Sequence, residues 1–196
     1  MRMVRRRLVL SALATICLNL IPLSAEGAEK DWALSLYYGR LTDEQLTTTA
    51  TGDFHFENAY FVDLGVSRRL YTRQDRFNVE IEGQIARHFG NQTNGEFCFV
   101  AYLRWLRFPW NEHLKTSVAA GAGLSYATSV PEIEAKFYDE TAQLLGALMF
   151  EFAFSRPRVP QWSLVVGIHH RSGASGTFSG VRGASNAWAM GIRYAF

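Results

Sequence analysis

Apolar and polar residues alternate along most of the chain beyond its first 30 residues. At the C-terminal end Trp188, Met190, Ile192, Tyr194 and Phe196 fall on one face, and Ala189, Gly191, Arg193 and Ala195 on the other. A period of two marks a strand with one face in an apolar medium and the other in a polar one. Phe77, Val79, Ile81, Gly83 and Ile85 alternate in the same way with Asn78, Glu80, Glu82, Gln84 and Ala86. Tyr60, Val62, Leu64 and Val66 alternate with Phe61, Asp63, Gly65 and Ser67, and Leu144, Leu148, Phe150, Phe152 and Phe154 lie opposite Gln143 and Glu151.

Eight such segments can be placed, approximately Asp31–Arg40, Asn58–Leu70, Arg76–His88, Glu96–Phe108, His113–Tyr126, Ala142–Ser155, Trp162–Ser172 and Ser185–Phe196. No run of about 20 apolar residues follows the N-terminal stretch, so membrane-spanning helices are excluded. The remaining spanning structure is a closed barrel, in which every backbone N–H and C=O is paired between strands. Connections after the first, third, fifth and seventh segments are long and polar; the three between them are short and carry Pro109, Pro157 and Pro160 as breakers. This predicts an all-β, eight-stranded antiparallel transmembrane up-and-down β-barrel, with long loops outside and both termini on the periplasmic side. A soluble barrel would carry its apolar face inside, against the polar second face of the third segment.

An eight-stranded barrel has room inside only for side chains. Asp63, Glu80, Glu82 and Glu151, with Arg104 as partner, are therefore expected to form a packed polar network and not a pore. The same argument reads Glu80 and Glu82 as interior filling and not as an acid/base pair.

Arg2, Arg5, Arg6 and Arg7 precede an apolar stretch from Leu8 to Leu23 that runs into Ser24, Ala25, Gly27 and Ala28. This pattern is read as a secretory signal peptide over residues 1–28, with cleavage after Ala25, Gly27 or Ala28, leaving a barrel domain over 29–196. Cys17 follows Ile16, where a lipoprotein signal requires a small residue. The formal net charge of +2 includes the leader arginines, so the mature chain is close to neutral. It has no basic patch with interleaved aromatics, and no nucleic-acid partner is expected. Cys98 is the one cysteine left, so there is no internal disulfide.

Candidate chemistry lies in the last hairpin. Leu164, Val166, Ile168, His170 and Ser172 share a face, and the first three belong in lipid. His170 and Ser172 therefore emerge from the lipid-facing stripe at the outer end, and on the returning strand the outward set of Trp188 and Met190 extends to Asn186. A serine hydroxyl becomes a nucleophile when an imidazole takes its proton, and the imidazole needs a third group to hold its tautomer. Ser172 is read as nucleophile, His170 as base and Asn186 as the group that orients His170, with neither cofactor nor metal required. His169 has inward parity and is expected to be a hydrogen-bonded interior group.

The closing alternation ending at Phe196 resembles the C-terminal sorting signal of Gram-negative outer-membrane β-barrels, which implies an outer-membrane location, contact with outer-membrane lipids and recognition by the barrel-assembly machinery. Ile168-His169-His170-Arg171-Ser172-Gly173, a glycine-rich loop and Gly191-Ile192-Arg193-Tyr194-Ala195-Phe196 resemble the C-terminal hairpin of PagL-type lipid A 3-O-deacylases and related acyloxyacyl hydrolases. That resemblance implies a serine esterase facing the outer leaflet, which removes an ester-linked 3-hydroxyacyl chain from lipid A of lipopolysaccharide, with His170 and Ser172 as its catalytic pair. The family's usual acid is replaced here by Asn186 or Ser185, and the asparagine that often follows the serine is Gly173, whose backbone amide is the candidate oxyanion donor. Arg171 and Arg182 are candidate phosphate contacts. The competing reading is a non-catalytic barrel, structural, adhesive or lipid A-binding.

Overall fold

The structure, a computed structural model, describes residues 30–42, 46–52, 54–178, 180–181 and 184–196. The expected signal peptide and its cleavage site lie outside them. Eight strands follow in chain order: β1 (Trp32–Thr42), β2 (Phe56–Arg73), β3 (Phe77–Gly90), β4 (Gly95–Trp105), β5 (Lys115–Ala127), β6 (Leu144–Ser155), β7 (Trp162–Ser172) and β8 (Ala184–Ala195). Each pairs antiparallel with its neighbours, and β8 returns to β1, so the sheet closes into a barrel. Closure leaves no strand edge unpaired, which is what a β structure in lipid requires. Two short helices interrupt the long connections, α1 (Leu46–Thr51) after β1 and α2 (Glu132–Phe137) after β5. No helix among the described residues is long and apolar enough to cross a membrane.

Burial follows the sequence alternation with the faces inverted relative to a soluble protein. Ile85, Phe99 and Met190 point outward and are 58%, 58% and 55% exposed, whereas inward Glu82 and Asp63 are 1% and 2% exposed. Trp162 packs on Tyr194 at the short-connection end, ring centroids 4.6 Å apart. Near the other end Tyr60 stacks on Tyr38 and Phe89 at 6.1 and 5.6 Å. Aromatic belts flanking an apolar band are the pattern of a barrel that meets two membrane interfaces. The β2–β3 hairpin turns on Gln74 and Asp75, at φ 49° and 53°, with Arg76 N–H donating to the Arg73 carbonyl at 2.9 Å. Two left-handed residues make the turn whose twist suits a two-residue hairpin.

The interior is filled by side chains. Arg104 bridges Glu80 and Glu151, at 3.1 Å from Nε to Glu80 Oε2 and 2.7 Å from Nη2 to Glu151 Oε2. Arg193 adds a bond to Glu80 at 2.8 Å, Tyr37 donates to Glu151 at 2.9 Å, and Gln84 donates to Glu82 at 2.6 Å. Glu80, Glu151 and Arg104 form the expected network, joined by Arg193 and Tyr37, whereas Asp63, expected to belong to it, stands apart with Oδ1 unpartnered. Gly39 faces the Phe61 ring so closely that a Cβ there would overlap it, so glycine is what lets the ring cross the lumen. The cavities within are small, about 20 Å³ and 10 Å³, each close to the space of a single water and too small for a diffusion channel.

A test of the inverted faces is labelling in a Cys98→Ser background. A fluorophore on Ile85→Cys or Met190→Cys is expected to be quenched by brominated lipid, and Gln84→Cys to resist water-soluble thiol reagents until the barrel unfolds. The reverse pattern would mean that the faces are misassigned.

Candidate functional site in the last hairpin

Register places the candidate residues at one level of the rim. In the β7–β8 ladder His170 lies opposite Asn186, Ile168 opposite Trp188 and Ser172 opposite Ala184, and on the far side of β8 Asn186 lies opposite Thr42. His170 Nδ1 is 2.7 Å from Asn186 Oδ1. A side-chain amide oxygen only accepts, so Nδ1 carries the proton and Nε2 keeps its lone pair, the tautomer a general base needs. Asn186 is itself held, since the Thr42 hydroxyl reaches its backbone carbonyl at 3.4 Å and lies 3.0 Å from the Thr49 hydroxyl. Ser172 shares the outward parity of His170 and is half-buried. Among the described residues no hydrogen bond joins Ser172 to His170. Two strand residues on, the backbone has advanced about 6.7 Å, so the pair meets only when the side chains lean together, and such catalytic bonds are often long without substrate.

Exposure is where expectation and structure part. His170 and Asn186 have outward parity, yet they are 6% and 1% exposed, not open to the outer leaflet. The long connections fold back over the outer wall. Trp188 Nε1 donates to the Thr49 carbonyl of α1 at 3.3 Å, Phe54 stacks on Trp188 at 6.4 Å, and the Phe178 ring lies against Gly146, the residue paired with Ser172. The sequence presents these connections as polar loops, but their aromatic residues lower the free energy by packing on the apolar wall.

Arg171 is corrected as a phosphate contact. Its odd position turns it inward, it is 2% exposed, and its guanidinium donates to Glu134, to Ser125 Oγ at 3.0 Å and to the carbonyls of Ala142 and Gln143, both at 2.6 Å. Ser185 and Thr141 also donate to Glu134, at 2.8 and 2.6 Å. Arg171 thus ties α2 to the barrel mouth directly beneath the candidate site. Arg182 lies outside the described residues.

Gly173 opens a tight turn in which its carbonyl accepts from Gly176 and Phe178 N–H at 3.1 and 3.0 Å. Its own N–H is not a donor in these turn bonds. A Cβ on Gly173 would collide with the Val181 carbonyl, so close approach alone demands glycine there. Ala174 and Ser175 follow at φ 48° and 57°, left-handed conformations that cost a non-glycine residue about 1–2 kcal/mol.

Sequence reasoning missed the groove beside the site. Tyr38, Val166, Trp188 and Met190 of the wall, with Phe54 of the returning connection and Phe56 at the start of β2, line an apolar groove of about 480 Å³. Arg40 lines it too, with its guanidinium 5.0 Å over Phe56 and 5.2 Å over Tyr60 and with Nε donating to the Glu57 carbonyl at 2.9 Å. Outward parity at Arg40 and the aromatic sequence Phe54-His55-Phe56 were the available signals. His169, by contrast, is the interior group its parity predicted, 3.1 Å from Glu96 Oε1.

Fold and site together define a closed eight-stranded barrel of the outer-membrane type with a polar hairpin pair at its loop-bearing end. No protein-family model matches the chain, and no curated protein matches it either. Among solved structures it is similar to Neisserial surface protein A, with 12% identity, TM-score 0.52, and 87% of this chain aligned to all of that one. It is also similar to the outer membrane enzyme PagL, with 12% identity, TM-score 0.56, and 84% of this chain aligned to 99% of that one. At this identity the likeness shows the fold. A surface protein and an enzyme share it, so the activity has to be argued from the site.

Proposed function

We propose that the chain is an outer-membrane serine esterase that removes an ester-linked 3-hydroxyacyl chain from lipid A. The observation that carries this reading is the His170–Asn186 bond, which fixes the base tautomer of a histidine two residues from Ser172, on the hairpin whose Val166 and Trp188 line an apolar groove. Ser172 Oγ attacks the ester carbonyl while His170 Nε2 takes its proton. The oxyanion draws on backbone N–H groups near Gly173. The intermediate collapses, His170 returns the proton to the departing sugar oxygen, and water activated by the same imidazole then releases the 3-hydroxy fatty acid from Ser172. The amide of Asn186 orients His170 but does not neutralise imidazolium as a carboxylate would. The groove supplies room for an acyl chain at the level of the outer leaflet, and Arg40 is a better placed cation for a lipid phosphate than buried Arg171.

One observation favours a second reading, a lipid-binding barrel without catalysis: His170 is covered and lacks a bond to Ser172. Purified protein mixed with lipopolysaccharide in detergent micelles separates the two. The esterase reading expects free 3-hydroxy fatty acid to accumulate with time. Intact lipid A at high protein concentration, with the barrel folded, would favour binding alone.

A further inference from the structure

Inside the barrel, and outside the proposed esterase site, β4 and β7 bring metal-binding side chains together. Glu96 and Cys98 project inward from β4, two residues apart, and His169 reaches them across the lumen from β7. Cys98 Sγ lies 3.3 Å and His169 Nε2 3.1 Å from Glu96 Oε1, and the three donor atoms lie within 4.8 Å of one another. Thiolate, imidazole and carboxylate bound to one Zn²⁺ at about 2.0–2.3 Å stand at such mutual distances in a tetrahedral site. All three side chains are buried, Cys98 at 6%, Glu96 at 3% and His169 at 9% exposure.

Two further features point to a cation. Asp63, on β2, lies opposite Ala86, which in turn lies opposite Glu96, and it lines the same small cavity as His169. Its Oδ1 is buried without a hydrogen-bond partner, a costly state for a carboxylate that a nearby cation would relieve. The second feature is support behind the donors. His88 Nε2 holds Glu96 Oε2 at 2.8 Å and is itself held through Nδ1 by Gln92 at 2.9 Å, the outer-shell arrangement that orients a metal-bound carboxylate. A neighbouring cavity lined by His88, Gln92, Glu96 and His169 continues toward α2 and the outer end.

We infer that Glu96, Cys98 and His169 form a structural site for a zinc-class divalent ion that clips β4 to β7 across the lumen. The mixed sulfur, nitrogen and oxygen set selects zinc or cobalt over magnesium or calcium. The three donors are buried in the lumen, on the opposite face of β7 from His170 and Ser172, so the ion is structural and takes no part in ester hydrolysis. By holding His169 it also fixes the backbone that carries His170. The sequence signals no metal site, because His169 on β7 is far along the chain from Glu96 and Cys98 on β4 and meets them only across the closed lumen.

The test is refolding of the full chain from urea into detergent micelles with Co²⁺ present, so that access through the closed barrel is not limiting. The expected result is one equivalent of Co²⁺ per chain, with tetrahedral ligand-field bands and a sulfur-to-cobalt charge-transfer band, displaced by Zn²⁺. Cys98→Ser should remove the charge-transfer band and weaken binding by about 100-fold while the barrel still shows the gel mobility of a folded barrel. His88→Ala, acting behind Glu96, should weaken it by about 10–100-fold. Folded wild type without the charge-transfer band would overturn the inference. So would equal Co²⁺ affinity in wild type, Cys98→Ser and His169→Ala, which would place the ion on surface histidines.

Discussion

Ser172→Ala is expected to lower 3-hydroxyacyl release by about 10³-fold or more, and His170→Ala by a similar factor. The double variant should lose little beyond either single one, because nucleophile and base act as one unit and removing one disables the other. Both side chains face outward at the rim and neither belongs to the interior network, so all three variants should retain the mobility of a folded barrel. Asn186→Ala should cost less than either, since Nε2 remains and only its presentation suffers. Asn186→Asp is the informative change. It keeps the shape that fits between Thr42 and His170, still accepts from Nδ1–H at the observed 2.7 Å position, and adds the charge that stabilises imidazolium. Its rate should equal or exceed wild type. Ile85→Ala, on the opposite wall, should leave the rate unchanged. Full activity in Ser172→Ala would remove the assignment whatever the other variants do.

Arg104→Met is expected to be the most destabilising single change in the barrel interior. The guanidinium is the shared partner of Glu80 and Glu151, all three are nearly inaccessible, and Ser117 Oγ takes a further bond at 3.3 Å. Removing one member of such a buried set leaves carboxylates without their countercharge and costs about 3–5 kcal/mol. Arg193 still reaches Glu80, but Glu151 then keeps only Tyr37. Arg104→Lys should recover little, because a single ammonium cannot span two carboxylates as the planar fork does. Urea unfolding in lipid vesicles, followed by gel mobility, reads this directly. A midpoint unchanged in Arg104→Met would mean that the network is solvated and not packed.

The barrel was legible in the sequence because lipid imposes a strict rule on each strand. Alternation such as Phe77 to Ala86 has only one face that lipid tolerates, and the positions of Pro109, Pro157 and Pro160 separate short connections from long ones. The pairing of His170 with Asn186 was legible for the same reason, since period and hairpin register bring both to one level. What the sequence did not show comes from residues that obey no period. Phe54 and Phe178 lie in connections that read as polar yet pack on the outer wall, and Phe54 builds the groove with Phe56 at the start of β2. Arg171 was misread from its place in the His-Arg-Ser stretch, although its parity matched His169 and pointed inward. Its partner Glu134 lies on a short helix after β5 that no strand pattern announces. Glu96 and Cys98 meet His169 only when the sheet closes.

The central claim is that this hairpin cleaves an acyl ester of lipid A. Mass spectrometry of lipid A from Gram-negative cells expressing the wild-type chain, beside cells expressing Ser172→Ala at equal outer-membrane levels, tests it most directly. A lipid A species lighter by one 3-hydroxyacyl chain is expected in the wild-type cells and absent from the Ser172→Ala cells. Identical lipid A in both, with both barrels folded in the outer membrane, would contradict it.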